Sequence, residues 1–260
     1  MTSEAAPAEY AVVVEKLNKS FGNNHVLQDM EVKVRTGETV ALLGGSGCGK
    51  TVFLRHVAGL IKPDSGKVHV FGKDINALDE EGLEELRRRM GMVFQGAALL
   101  NSITVGENVG LALEEHGGMS SADINRIVAG KLELVGMSGT EGLLPEKLSG
   151  GMKKRVGVAR TLATDPELIL YDEPTTGLDP LMCDDVDDLM VSMKQKLHVT
   201  SIVVTHDLIT AFRVADRIGM LHGGHLITLG TPREILESDN EIVRAFISRH
   251  APLVKEGKRQ

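Results

Sequence analysis

The sequence contains no tryptophan, only two tyrosines and only six phenylalanines among 260 residues. So few rings leave little surface on which nucleic-acid bases could stack. An excess of positive charge is also missing: 29 Lys and Arg stand against 36 Asp and Glu, a formal charge of −7. A phosphate backbone is bound by cationic surface, so nucleic acid is excluded as the main partner. Cysteine is scarce, with Cys48 and Cys183 alone. Two thiols make neither a disulfide framework nor a zinc site, which points to a reducing compartment. No apolar run reaches the length of a membrane span, and the opening MTSEAAPAEY lacks the basic and apolar regions of a signal peptide. The expectation is a chain that is soluble alone and is held at a membrane only by another protein.

What is present is ordinary globular material. Hydrophobic residues make up 42% and charged residues 25%, enough for a sizeable core in one large α/β domain or two modest ones. Residues 1–9 are small and polar and read as a loose tail. Polar and apolar positions then alternate in AVVVEKL (11–17) and MEVKVRTGE (30–38). Glu31, Lys33 and Arg35 share one face and Val32 and Val34 the other, the period of half-buried antiparallel strands. GKVHVFGKDI (66–75) reads the same way. From Glu38 onward short apolar runs recur as TVALLG (39–44), MVFQ (92–95), LILYD (168–172), SIVVT (201–205) and IGMLH (218–222). Helical stretches separate several of them, as in a mainly parallel sheet covered on both faces. Between Gln95 and Asp165 no strand is expected. Thr104 and Glu107 form a capping-box pair ahead of an apolar run, so about 96–165 reads as a helical insertion.

The strongest local signal is Gly44-Gly45-Ser46-Gly47-Cys48-Gly49-Lys50-Thr51, which fits G-x-x-x-x-G-K-[ST] between an apolar strand and a helix. Glycines let the backbone curl until several N–H groups face phosphate oxygens, and the helix adds the positive end of its dipole. Lys50 is expected at the β- and γ-phosphates and the Thr51 hydroxyl at Mg2+. In LILYDE (168–173) an apolar strand carries Asp172 to its carboxyl end, where ligands of α/β sheets bind. Asp172 can hold Mg2+ through its water shell, and Glu173 can orient or deprotonate an attacking water. Leu148-Ser149-Gly150-Gly151-Met152 opens a further helix with Ser149 as its N-cap. Two glycines in a first turn are costly, and close approach of backbone to phosphate gives them a reason. Cys48, beside a helix N-terminus, is expected to have a lowered pKa and to react with alkylating agents. Asp184, Asp185, Asp187 and Asp188 look like a metal cluster. Lys194 and Lys196 at the far end of the same helix instead make a solvated, dipole-complementing face the expectation.

Together, and in this order, these elements resemble the nucleotide-binding subunit of ABC transporters, from about residue 10 to 235. The resemblance implies an α/β P-loop ATPase cassette with a mainly parallel core sheet, an N-terminal antiparallel β subdomain and an inserted helical subdomain. A C-terminal helix and tail would occupy 236–260. It also implies ATP and Mg2+ as ligands and hydrolysis coupled to transport. Gln95 after MVF matches the Q-loop glutamine at the metal, Asp179 matches the D-loop aspartate, and His206 matches the switch histidine at the γ-phosphate. Phe21 stands where an aromatic stacks on adenine. The implied nucleotide-binding set is Phe21, Gly44, Gly45, Ser46, Gly47, Cys48, Gly49, Lys50, Thr51, Val52, Ser149, Gly150, Gly151 and Asp179. Glu173, His206, Gln95 and Lys50 form the catalytic set, and Thr51, Gln95 and Asp172 the metal set. Ser149, Gly150 and Gly151 would meet the γ-phosphate held by a second copy, so a head-to-tail dimer sharing its ATP is implied.

Two departures narrow the cargo. Met152 stands where Gln is usual in the signature, followed by Lys153, Lys154 and Arg155, and FQGAALLNSITVGENV (94–109) lacks a proline common in that place. Both features are similar to the ATPase subunit of Mla/Mce-type lipid transporters. That resemblance implies phospholipid as cargo, an integral permease of the MlaE type, an MCE-domain subunit and a STAS-domain subunit. The chain would sit on the cytoplasmic face of the inner membrane. Two other classes share the catalytic motifs: the ATPase of a small-solute importer, and a soluble ABC ATPase outside transport.

Overall fold

The computed structural model describes residues 9–248, so nearly all of the tail expected over 1–9, and the end of 236–260, lie outside the described residues. β1 (Tyr10–Phe21) and β2 (Asn24–Arg35) form an antiparallel hairpin. Val32 and Val34 are buried there while Glu31, Lys33 and Arg35 are exposed, as the alternation requires. β3 (Thr39–Leu43) then enters the core, and α1 (Lys50–Val57) follows the glycine-rich loop. β4 (Ser65–Val70) and the short β5 (Lys73–Asp74) complete a four-stranded sheet in the order β2-β1-β4-β5. α2 (Glu80–Arg88), capped by Asp79, leads into β6 (Met90–Val93).

From 94 to 167 the described chain holds helices and turns but no strand. α3 (Val105–His116) begins at the Thr104–Glu107 capping box, with both reciprocal hydrogen bonds made. α4 (Ser121–Leu134) and α5 (Gly150–Leu162) start at Ser120 and Ser149 caps. β7 (Leu168–Asp172) is followed by α6 (Pro180–Leu197), which starts with an Asp179 cap and a first-turn proline. β8 (Thr200–Thr205), α7 (Leu208–Val214), β9 (Arg217–His222), β10 (His225–Gly230), α8 (Pro232–Leu236) and α9 (Glu241–Ser248) complete the order.

The second sheet runs β10-β9-β3-β8-β7-β6 and is parallel except at the β9–β10 hairpin. β10 goes beyond the sequence expectation. Four of its six residues are half-buried, which blurs the two-residue period, and the Gly223-Gly224 turn before it was the available signal. β3, β7 and β8 are buried on both faces, so they read as unbroken apolar runs. Their side chains alternate between two cores. Val40 and Leu42 pack with the antiparallel sheet and α1; Ala41 and Leu43 pack with the helices α3 to α7. Register then decides where chemistry can occur. Leu43 pairs with Thr205 and Asp172 with Val204, so β3, β7 and β8 end side by side.

Candidate functional site

Where those three strands end, a cleft of about 710 Å3 opens. Gly45, Ser46, Gly47, Gly49 and the first residues of α1 line it, together with Gln95, Glu173 and His206. Two glycines of the loop are forced by their surroundings. A Cβ on Gly44 would lie 2.5 Å from Cys48 Sγ and 2.7 Å from the Leu221 carbonyl oxygen. One on Gly49, at φ 106°, would lie 2.8 Å from the Val26 carbonyl oxygen. α1 has no side-chain N-cap, whereas α2 to α8 each have one. Its first-turn N–H groups are left for an anion, which fits a phosphate.

Lys50 is buried at this loop. Its Nζ donates to the Gly44 and Gly45 carbonyls at 2.8 and 3.1 Å and pairs with Glu173 Oε1 at 3.2 Å. Thr51 Oγ1 donates to Asp172 Oδ1 at 2.8 Å. Burial pushes the Asp172 carboxyl up, and the Thr51 hydrogen bond opposes it. Glu173 follows with φ 49°, its N–H donating to the Val204 carbonyl at 2.9 Å. Its Oε2 lies 2.7 Å from His206 Nδ1 and accepts from Thr176 Oγ1 at 3.1 Å. Burial raises the Glu173 carboxyl, but the His206 hydrogen bond and the Lys50 charge together outweigh it, and the net shift is downward. An ionised Glu173 places the imidazole proton on Nδ1. The opposite side of the ring is open, since the His206 side chain is 58% exposed.

Among the described residues no three His, Cys, Asp or Glu side chains group as a metal cage. The Thr51 hydroxyl and Asp172 carboxylate are a sparse pair of hard oxygen donors. That suits Mg2+, which keeps waters and takes phosphate oxygens rather than a full protein cage.

Other expected site residues fall elsewhere. Phe21, 52% exposed, ends β1 with the Lys19 ammonium 5.4 Å from its ring centre; Val26 of the same hairpin lines the cleft, and Phe21 does not. Ser149, Gly150, Gly151 and Asp179 do not line it either. Ser149 and Asp179 accept from the Met152 and Met182 N–H groups at 3.3 and 3.0 Å, and Gly151 sits against Met182. Val26, Thr176 and Phe246 line the cleft unannounced. Thr176, three residues after Glu173, had proximity as a signal; Phe246 on α9 had none, because only packing brings it there.

Two expectations are corrected. Burial pushes the Cys48 thiol up, and the nearby Lys50 charge only partly offsets this. The acidic face of α6 is not uniformly solvated. Asp184 and Asp188 pair with Arg213, and Asp185 with Arg155. Asp187, 1% exposed, turns inward; burial pushes its carboxyl up to about 7, and Oδ1 has no hydrogen-bond partner.

A sequence profile of the family described as ABC transporter matches residues 27–176. The probable ribonucleotide transport ATP-binding protein Mkl of Mycobacterium leprae is 38% identical over 93% of this chain and 70% of its own length. The intermembrane phospholipid transport system ATP-binding protein MlaF of Haemophilus influenzae is 36% identical over 91% and 89%. The methionine import ATP-binding protein MetN of Brucella abortus is 40% identical over 86% and 61%. Among solved structures, CbiO1 of Clostridium perfringens superposes with a TM-score of 0.82 over 96% of this chain and 98% of that one, at 30% identity. A cassette solved as a dimer in a post-hydrolysis state, bound to ADP and Pi, gives 0.77 over 85% and 98%, at 31% identity.

Proposed function

The chain belongs to the ABC transporter family as an ATP-binding subunit, and from that premise we propose that it energises phospholipid transport between membranes through a separate permease. The family makes it an ATP hydrolase coupled to transport, with ATP and Mg2+ as its ligands. One juxtaposition carries the assignment of roles: Lys50, Thr51, Asp172, Glu173 and His206 converge where three parallel strands end.

Lys50 exchanges its carbonyl and carboxylate partners for β- and γ-phosphate oxygens, while the N–H groups of Gly45 to Val52 cradle the same phosphates. Thr51 and Asp172, with Gln95, would hold Mg2+, which neutralises phosphate charge when bound. Glu173, kept ionised by His206 and Lys50, accepts a proton from the attacking water. His206 holds that carboxylate and presents its free ring edge to the γ-phosphate. Phe21, outside the cleft but on the hairpin whose Val26 lines it, is the residue assigned to the adenine. Ser149, Gly150, Gly151 and Asp179 act on the ATP of a second, head-to-tail copy. The working domain is 10–235, with a helical subdomain at about 96–165 and a C-terminal element over 236–260.

The cargo assignment rests on Met152-Lys153-Lys154-Arg155 and the 94–109 segment, supported by the similarity to MlaF along most of both chains. It brings with it a permease of the MlaE type, MCE-domain and STAS-domain subunits, and a place on the cytoplasmic face of the inner membrane. Among the described residues no helix is long and apolar enough to cross a membrane. The 40% identity to a methionine importer favours a second reading, a small-solute importer. Glu173→Gln should bind ATP normally and lower turnover by roughly 10²–10⁴; wild-type hydrolysis removes the base assignment. For the cargo, the chain assembled with its permease should move labelled phospholipid between vesicles in an ATP-dependent way. Solute uptake without lipid transfer overturns it.

A further inference from the structure

The end of β6 and the segment after it are fastened to α5 through their main-chain carbonyls. Thr161 Oγ1 donates to the Met92 carbonyl at 3.1 Å, and Lys154 Nζ donates to that of Gln95. Arg160 donates from Nη2 to the Ala97 carbonyl at 2.8 Å and from Nη1 to the Ala98 carbonyl at 2.6 Å. Gly157, on the same face of α5, lets the segment close in: a Cβ there would lie 3.3 Å from that of Ala97. The spacing 154, 157, 161 is that of one helical face.

The fastened segment is strained. Ala97 and Ala98 have φ of 59° and 48°, two consecutive non-glycine residues in the left-handed region. Alanine has no side-chain hydrogen bond to recover that strain, so it persists only where the surroundings over-determine the backbone. The surroundings are Lys154 and Arg160. Lys154 is buried, and burial pushes its amine down; Arg160 is pushed down for the same reason. Their donors go to neutral carbonyls, which makes both costly to keep for stability alone.

The two ends of this assembly matter for hydrolysis. Gln95 lines the ATP cleft of its own chain, and α5 begins at Ser149. We propose that Lys154 and Arg160 are positioning residues that lock the Gln95–Ala98 turn to α5, so that Gln95 and the Ser149–Gly151 helix end move as one body. A shift of Gln95 at one ATP is thereby passed to the helix end that serves the other. This rests on the roles given above to Gln95 and Ser149.

The test is a double-mutant cycle on the full-length protein, read as turnover, ATP affinity and thermal midpoint. Lys154→Met should slow turnover roughly tenfold and leave ATP affinity within about twofold, since Lys50 and Thr51 are untouched. Lys154→Arg should restore most of the rate. In a Gln95→Ala background, Lys154→Met should cost less than about twofold more, because a residue acting through Gln95 has nothing left to position. Ala97→Gly with Ala98→Gly should slow turnover without lowering the thermal midpoint, since glycine accepts the left-handed backbone. The same tenfold loss in the Gln95→Ala background, or wild-type turnover in Lys154→Met or the double-glycine variant, overturns the proposal. Wild-type hydrolysis by Gln95→Ala alone removes the Gln95 role itself, and this proposal with it.

Discussion

At the scale of single residues, burial outweighs nearby charge at Cys48 and Asp187, whereas at Glu173 the His206 and Lys50 partners outweigh burial. Cys48 sits in a phosphate loop beside Lys50, yet desolvation dominates and raises its thiol above the usual range. Iodoacetamide should therefore label it slowly at neutral pH, with a rate still climbing beyond pH 9. Labelling faster than that of free cysteine at pH 7 contradicts this. Asp187 gives the opposite kind of test. Its folded pKa, about 7, lies above the unfolded value of 3.8, so between those values the folded state holds a proton that the unfolded state has lost. Stability contributed by that proton is complete below the unfolded pKa and is lost as pH rises through about 7. Asp187→Asn should accordingly be more stable than wild type at pH 8 by roughly 1–3 kcal/mol, with the difference fading toward pH 4. Denaturant midpoints at the two pH values measure it, and a pH-independent difference overturns it.

At the scale of elements, the helices are delimited by short polar signals that hold wherever the helix ends up. Thr104 closes a full capping box on α3, with its N–H and hydroxyl on Glu107 Oε2, each at 2.7 Å. Thr104→Ala should cost roughly 1 kcal/mol, read as a lower thermal midpoint, because Thr104 is only half-buried and what is lost is its exposed capping hydrogen bonds. A loss several times larger would mean that the cap supports more than its own helix. α1 is the exception whose missing side-chain cap leaves the phosphate end open. β10 shows the limit of element reading. Its partners lie across a hairpin, its residues are mostly half-buried, and neither period was sharp enough to announce it.

At the scale of the whole molecule, the cleft brings Lys50, Gln95, Glu173 and His206 to one place but leaves Ser149, Gly150, Gly151 and Asp179 outside. The head-to-tail reading predicts that Lys50→Ala and Ser149→Arg, each inactive alone, recover part of the activity when mixed. A mixed dimer keeps one composite site with a native loop and a native signature. Donors focused on the transferring phosphoryl group in a dry site are worth several kcal/mol, so turnover per subunit should fall on dilution. A rate that stays constant down to monomeric concentrations overturns the shared site.

The sequence by itself determined what depends on neighbours along the chain. The phosphate loop is legible because Gly44, Gly49, Lys50 and Thr51 stand at fixed spacing between an apolar strand and a helix; the caps at Thr104, Ser149 and Asp179 need a short polar side chain before each helix. The apolar runs of β3, β7 and β8 announce burial on both faces. Tertiary structure alone decided which distant residues meet and how much water each keeps. It brought Phe246 to the cleft, turned Asp187 inward from an acidic run, and set Arg160 on the carbonyls of Ala97 and Ala98, both at positive φ, with Lys154 on that of Gln95. Desolvation and strain are set by everything packed around a group, and spacing along the chain records only the few neighbours that are covalently near.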